Sequence, residues 1–491
     1  MSNSKEKRYS ESKAIAWSAV ERFSAQGIQF VLGIVIARLL TPSSYGLVAM
    51  LSIFLAIGQS LIDSGFGSAL IQKKDCTQSD YSTVFYFNIV VSVILYLICF
   101  VASPYIAAFY NEPQLESITK VSTLVFIINA LAIVQRTKLT KNLDFKSQSK
   151  ATIISTITSG LVGIFLAYKG FGAWALVVQS LVSSSVSTLV LWIISRWRPS
   201  LIFSTVSFKT LFGFGSRLMA TGLLQTIYVN LYTLVIGKFY NARDLGFFNK
   251  MQNFATFPSR NFTSIVARAV YPEQCKLQDN NEALLANYLK LLSLSSFVIF
   301  PLMMGLAALS KPFINVLLGE KWIEGSTYLM ILCFAYMLDP IQYFNWQILS
   351  VKGRSDLSLK SEVIKKIVSI MIMVITIPMG VEYMICGLAF YAICDLAIII
   401  PFVHKVLPQI TYMLEIRTII KPFLISLTMF AVILTIEQFI DNKYLQLIIP
   451  FFCGCAVFFL ISLITKSREL NYFLDKVKKP PFETLYAKHS H

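Results

Sequence analysis

The sequence predicts an all-α membrane protein that crosses the bilayer many times. Hydrophobic residues fill 55% of its 491 positions and charged residues only 14%, whereas a soluble protein carries about a quarter charged residues. The mean hydropathy is +0.64. Apolar stretches near the length of about 20 residues that crosses the hydrocarbon core recur along the whole chain. The predicted class is therefore a polytopic helical membrane protein.

About fourteen transmembrane helices are predicted, joined by short connections. The polar start, MSNSKEKRYSESK, runs straight into the first of them, so we expect no cleaved signal peptide. No connection is long enough for a folded domain, so any chemistry would take place inside the helical bundle. The predicted spans are 15–37, 45–67, 82–108, 116–135, 149–168, 172–195, 210–236, 245–267, 285–309, 323–349, 363–380, 383–403, 419–439 and 445–465.

Basic residues are concentrated in alternate connections. Most of the 43 Lys and Arg residues lie in one set of connections, which includes both termini, and few lie in the other set. The positive-inside rule then places the basic set and both termini in the cytoplasm. Topology accounts in this way for the net charge of +17, and we predict no nucleic-acid partner.

A repeat relates two parts of the chain. Val35–Met50 reads VIARLLTPSSYGLVAM, and Val235–Lys250 reads VIGKFYNARDLGFFNK. Each copy has a helix that ends near a basic residue, a short polar turn, and a helix that restarts around Gly46 or Gly246. Both copies run from inside to outside, which predicts a parallel repeat of the kind found in transporters. Duplication without transport is the alternative.

The repeat predicts two lobes of six helices with a substrate site between them. The N-terminal lobe covers residues 1–200 and the C-terminal lobe residues 205–410. Two additional transmembrane helices follow at 415–466, and residues 467–491 form a cytoplasmic tail.

Cationic side chains lie inside several predicted spans, where a charge costs at least about 2.5–3.5 kcal/mol. Arg22, Arg217 and Arg260, with Lys250 nearer the outside, predict a cationic ladder for an anionic substrate. The planar fork of Arg binds phosphate in a bidentate manner and stays charged. Arg22, Arg217 and Lys250 could instead reach a headgroup region. Arg260 is too deep for that and needs a wet cavity or an acidic partner.

Polar residues also recur at helical spacing in four of the spans, which places them on single helix faces. They predict the polar lining of a cavity, and hydrogen bonding between helices is the alternative. Four acids lie within spans and could pair with the arginines, bind a coupling ion or do both: Glu21, Asp63, Asp339 and Asp395. Glu21 and Asp63 are the candidates for coupling to H⁺ or Na⁺. The predicted lining residues are Gln26, Gln29, Asn88, Gln225, Tyr228 and Asn253.

No catalytic motif is found, so we predict no enzyme activity, no cofactor and no metal site. The stretches GFGSA at 65–69 and GFGS at 213–216 lack the strand-to-helix context of a nucleotide-binding loop. We interpret them as glycines that allow membrane helices to pack closely.

Several stretches resemble the polysaccharide flippases of the MOP (multidrug/oligosaccharidyl-lipid/polysaccharide) superfamily, in particular the Wzx/WzxC-like O-antigen and teichuronic-acid exporters. They include ARLLTPSSYGLVAM, DSGFGSALIQKKD, QRTKLTKNLDFK, GFGAWALVVQSLV and SRWRPS, and continue through the second repeat copy to about residue 275. Each motif is loose, but their order is specific.

The resemblance implies a flippase of the bacterial cytoplasmic (inner) membrane that works by alternating access. Its implied substrate is a polyprenyl-pyrophosphate-linked oligosaccharide, a repeat unit for lipopolysaccharide or a related glycan. The implied partners are membrane lipids and the glycan polymerase or glycosyltransferases of the same pathway. An ion-coupled antiporter of drugs or small cations is the main alternative; a glycan polymerase or acyltransferase and a scaffold are two others.

Overall fold

The computed structural model describes residues 26–63 and 65–472. Within these ranges the chain is almost entirely α-helical and contains no strand, as the sequence predicts. Contacts between residues divide it into two compact units, Met1–Asn249 and Lys250–His491. The boundary falls inside one long helix. The lobes predicted from the repeat remain a prediction.

The first unit contains eleven helices and the start of a twelfth within the described residues. They are α1 (Gln26–Leu39), α2 (Pro42–Asp63), α3 (Phe66–Gln72), α4 (Gln78–Tyr110), α5 (Gln114–Ser122), α6 (Val125–Ala130), α7 (Ile133–Lys141), α8 (Phe145–Tyr168), α9 (Ala173–Ser195), α10 (Thr205–Val229), α11 (Leu231–Phe239) and the first turns of α12 (Ala242–Lys276).

The second unit contains the rest of α12 and eight further α-helices within the described residues. They are α13 (Asn281–Ala308), α14 (Ser310–Leu317), α15 (Gly325–Tyr336), α16 (Asp339–Val351), α17 (Ser355–Thr376), α18 (Val381–His404), α19 (Tyr412–Glu437) and α20 (Lys443–Ile464).

Eight helical segments of the described chain are long and apolar enough to cross a membrane. Two further segments, α5–α7 and α10–α11, qualify as bent pairs, with bends of 41° and 43°. Apolar side chains on these helices are exposed, as on α4, where Val101 is 68% exposed. Water would make such exposure costly, whereas lipid favours it. The protein is therefore a multi-pass membrane protein, and the number fourteen remains a prediction.

The two copies of the sequence repeat contact each other reciprocally inside the first unit. A Cβ atom on Gly46 of α2 would clash with the carbonyl oxygen of Ala242, and one on Gly246 of α12 would clash with that of Pro42. Each helix also begins on an equivalent cap: the Ser44 amide donates to Thr41 Oγ1, and the Asp244 amide donates to Asn241 Oδ1 at 2.9 Å. These caps satisfy orphan amides at the helix starts.

The two GFGS stretches meet in the first unit as well. Gly65 begins α3 with φ +68° and lies against the backbone of Gly215 on α10. A Cβ at position 65 would clash with the carbonyl oxygen of Gly215. The positive φ also favours glycine. The interpretation of these motifs as close-packing glycines agrees with this contact.

Candidate functional site

A charged cavity of about 830 Å³ lies within the second unit. Four helices form its walls: α12, α16, α17 and α18. Its charged side chains are three basic and three acidic ones, a high density for the interior of a membrane-protein helix bundle. We call this the charged cavity. Its lining residues are Arg260, Thr263, Ser264, Ala267, Arg268, Tyr271, Asp339, Gln342, Tyr343, Trp346, Glu362, Lys365 and Asp395.

One face of α12 forms the basic wall. Arg260, Ser264 and Arg268 recur every four residues, so they project from the same side of the helix. At about 1.5 Å rise per residue the two arginines are displaced by about 12 Å along the axis. The wall therefore offers two guanidinium groups at two depths.

Side-chain amide groups form hydrogen bonds between α12 and its neighbouring helices at both ends of the basic wall. Gln252 donates to the Tyr336 hydroxyl of α15 at 2.6 Å. Gln347 of α16 donates to Gln274 Oε1 at 2.7 Å, and this bond is buried. Because both bonds are side chain to side chain between helices, they fix the position of α12 against its neighbours.

The part of the wall formed by α17 and α18 holds a buried ion pair. The Lys365 ammonium on α17 lies 2.9 Å from Asp395 of α18 and 3.2 Å from Glu362. Lys365 is only 4% exposed. The Tyr391 hydroxyl donates to the other oxygen of Asp395 at 3.2 Å. A buried charge needs such partners, and the carboxylates therefore neutralise Lys365 locally.

The arginines of the basic wall are placed differently. Both Arg260 and Arg268 are exposed to the cavity, and within the described residues neither forms a salt bridge shorter than 4 Å. Arg260 is the cation that attracts the Asp339 carboxylate of α16 electrostatically. The Arg260 guanidinium therefore lies near a carboxylate without forming a salt bridge to it. Both guanidinium groups can bind an anion that enters the cavity.

A smaller cavity of about 490 Å³ lies in the first unit around Asp63. Gln59 donates to Asp63 Oδ1 at 3.0 Å, and Asn129 donates to Gln59 Oε1 at 2.8 Å. Arg136 of α7 lines the same cavity and attracts Asp63 electrostatically. Across all described residues, no cluster of three His, Cys, Asp or Glu side chains could hold a metal ion. Coupling of Asp63 to an ion remains a prediction.

The predicted cations occupy different surroundings. Arg260 lines the charged cavity, whereas Arg217 is exposed on α10 of the first unit. Lys250 is half-buried, with its ammonium 5.6 Å from the Phe254 ring centre. Arg22 and Glu21 lie outside the described residues, so their roles and the cationic ladder remain predictions.

The predicted polar lining residues are also spread over both units. Gln26 and Tyr228 are half-buried, whereas Gln29, Gln225 and Asn253 are exposed.

Asn88 on α4 is fully buried, and within the described chain neither polar atom of its amide has a hydrogen-bond partner.

Hydroxyl groups on the same stripes are satisfied by their own helices. Thr263 donates to the Ser259 carbonyl and Ser92 to that of Ile89, both at 2.8 Å. Short polar side chains in membrane helices commonly bond in this way. They add little polarity to a cavity, so amides and charged groups are better indicators of one.

Sequence reasoning missed several lining residues of the charged cavity. Arg268 continues the four-residue spacing of Arg260 and Ser264 and could have been found by extending that stripe beyond the predicted span. Glu362 and Lys365 lie at the edge of a predicted span, where charge normally indicates the membrane surface. Only the packing of α17 against α18 shows that Lys365 is buried.

A helical membrane bundle with a cavity that exposes guanidinium groups defines a transporter-like class of protein. Residues 35–327 match the family described as "Polysaccharide biosynthesis protein", and the chain belongs to that family. The resemblance to polysaccharide flippases is confirmed by this match.

Individual relatives agree with the family assignment. The chain is 27% identical over 483 residues to the teichuronic acid biosynthesis protein TuaB of Bacillus subtilis (strain 168), covering 93% of this chain and 96% of TuaB. It is 29% identical over 355 residues to the lipopolysaccharide biosynthesis protein WzxC of Escherichia coli (strain K12), covering 71% of each.

A solved structure shares the fold. The lipid II flippase MurJ in an inward closed conformation aligns with a TM-score of 0.75 at 15% identity, covering 91% of this chain and 98% of MurJ.

Proposed function

We propose that the protein flips a polyprenyl-pyrophosphate-linked oligosaccharide, a polysaccharide repeat unit, from the cytoplasmic to the outer leaflet by alternating access. The observation that carries this proposal is the charged cavity, where Arg260 and Arg268 are exposed without a salt bridge among the described residues. Family membership in polysaccharide biosynthesis supports the substrate class. The MurJ likeness supports a fold that can flip a lipid-linked substrate.

In the proposed mechanism the pyrophosphate lies between the two arginines of α12. The two guanidinium groups are displaced by about 12 Å along the axis of α12, so they can bind the anion in turn at two depths. Lys365 does not bind the pyrophosphate, because its positive charge is already neutralised by Asp395 and Glu362. The glycan occupies the wet part of the cavity, and the polyprenyl chain stays in lipid, where its apolar surface costs nothing.

The remaining predicted contacts belong to the same proposal. Arg22, Arg217 and Lys250 bind the pyrophosphate at other stages of the cycle, and Asp63 couples flipping to H⁺ or Na⁺. The protein lies in the bacterial cytoplasmic membrane with both termini inside, as the distribution of Lys and Arg supports. It hands its product to the polymerase of its pathway and does no covalent chemistry itself.

A deletion strain tests the proposal. Cells without the protein accumulate lipid-linked repeat units on the cytoplasmic side, and the wild-type gene removes them. The variant Arg260→Gln with Arg268→Gln fails to remove them at normal protein level. The matched control, Lys276→Gln with Lys360→Gln, removes the same number of exposed charges from the second unit and restores export. Full export by the arginine variant would refute the proposed site.

A further inference from the structure

A third cavity, of about 630 Å³ within the second unit, is strongly basic and shares no lining residue with the charged cavity. It forms where the first half of α13, the first half of α19 and the segment after α20 meet. Glu469 is the one acid among its lining residues. We call it the basic cavity; its cations are Lys290, Arg417, Lys421, Lys466 and Arg468.

Some of these groups build the cavity. Lys421 of α19 donates to the Thr465 carbonyl at 2.7 Å and so ties α19 to the end of α20. Glu469 accepts a hydrogen bond from the Ser293 hydroxyl of α13. The Lys290 ammonium lies 4.4 Å from the Tyr472 ring centre. Contacts among all three segments therefore hold the cavity in shape.

The other cations remain available to a ligand. Arg417, Lys466 and Arg468 are exposed, and within the described residues none of them forms a salt bridge shorter than 4 Å. Three like charges so close together repel one another, and an anion between them relieves that repulsion. The arrangement fits a phosphate group better than a carboxylate, because Arg and Lys can share its several oxygens.

An apolar surface begins directly beside the basic cavity. Ile416 and Ile420 on α19 are exposed next to Arg417 and Lys421, and Ile464 at the end of α20 is 78% exposed. Acyl chains can lie on this surface while a phosphate reaches the cations. A free phosphate would leave the apolar rim unused.

We propose that the basic cavity binds the phosphate-bearing headgroup of an anionic phospholipid, with its acyl chains on the exposed faces of α19 and α20. The predicted topology places the starts of α13 and α19 and the end of α20 together on the cytoplasmic side. Basic pockets between transmembrane helices on that side bind such headgroups. A lipid of the cardiolipin class carries two phosphates, and its negative charge matches this number of cations better than that of a lipid with one phosphate. This proposal does not rest on the proposed function.

The test uses the purified full-length protein in detergent and follows the midpoint of thermal unfolding. Cardiolipin raises the midpoint, whereas phosphatidylethanolamine and inorganic phosphate at equal phosphate concentration do not. In Arg417→Gln with Lys466→Gln, the cardiolipin concentration that gives half of the shift rises about 30-fold, because each removed charge weakens binding by about fivefold. The control Lys276→Gln with Lys360→Gln behaves as the wild type.

Folding of the variants is checked by their midpoint without lipid. If the double variant is destabilised, Arg468→Gln alone changes one exposed side chain and is expected to weaken the cardiolipin response about fivefold. An unchanged cardiolipin response in both variants would overturn the proposal. An equal shift with inorganic phosphate would overturn it too, because the cavity would then bind a free anion rather than a lipid.

Discussion

The buried ammonium of Lys365 lies 2.9 Å from the carboxylate of Asp395 and joins α17 to α18 on the wall of the charged cavity. The basic groups of the cavity are therefore of two kinds. Lys365 is neutralised by its neighbours, whereas Arg260 and Arg268 face the cavity without a salt bridge among the described residues. Lys365 therefore stabilises the wall, whereas the arginines are the groups that we propose bind the substrate.

Removal of one partner of this pair should destabilise the protein. Lys365→Met leaves Asp395 buried without its cation and should lower the free energy of unfolding by about 3–5 kcal/mol. Lys365→Met combined with Asp395→Leu should recover most of that loss, because no buried charge of the pair remains. Thermal unfolding of the purified variants measures both. A double variant that is less stable than either single variant would contradict this account.

The reciprocal contact of the repeat predicts a strict requirement for small residues. Gly46→Ala places a methyl group against the Ala242 carbonyl and forces α2 away from α12, at a cost of about 1–3 kcal/mol. Gly213→Ala is the matched control, because a Cβ there meets nothing within 4 Å. We expect a lower unfolding midpoint for Gly46→Ala and no loss for Gly213→Ala. Equal midpoints would show that the contact is not tight.

Two effects can be separated at Gly65. Gly65→Ala combines strain from a φ of +68° with a clash against Gly215, whereas Gly170→Ala has a φ of +83° and nothing within 4 Å. Backbone strain alone costs about 1–3 kcal/mol. The unfolding midpoint should therefore fall for both variants and fall further for Gly65→Ala. A larger loss for Gly170→Ala would argue against close packing of α3 on α10.

The proposed coupling role of Asp63 can be tested through the driving force. Asp63→Asn keeps an acceptor for Gln59 but removes the charge that attracts Arg136. In vesicles with an imposed proton or sodium gradient, wild-type flipping should accelerate and Asp63→Asn flipping should not. Both proteins should flip equally without a gradient. An identical gradient response would remove Asp63 from the coupling role.

Much of the fold follows from the sequence. The length of the apolar stretches predicts helices, and the matching turns at Thr41 and Asn241 predict that two helices start in the same way. The sequence could not predict that these starts contact each other through Gly46 and Gly246, because periodicity specifies the face of a helix and not its neighbour.

The sequence predicts the charged cavity less completely than it predicts the fold, and the reason is physical. Arg260 could be identified because its depth makes it costly, whereas Lys365 lies near a predicted span end, where a lysine is ordinary. Its burial depends on Asp395 in the next helix. Likewise, the basic cavity combines residues from α13, α19 and the segment after α20, which are far apart in the chain.

The most direct test of the central claim is flipping by the purified protein in proteoliposomes. A polyprenyl-pyrophosphate oligosaccharide is supplied on one side, and its appearance on the other is followed with a glycan-modifying enzyme. The proposed role of the arginines predicts that Arg260→Gln with Arg268→Gln slows flipping by about tenfold or more for each lost charge-assisted contact, while Lys276→Gln with Lys360→Gln flips at the wild-type rate. Wild-type flipping by the arginine variant would contradict the account.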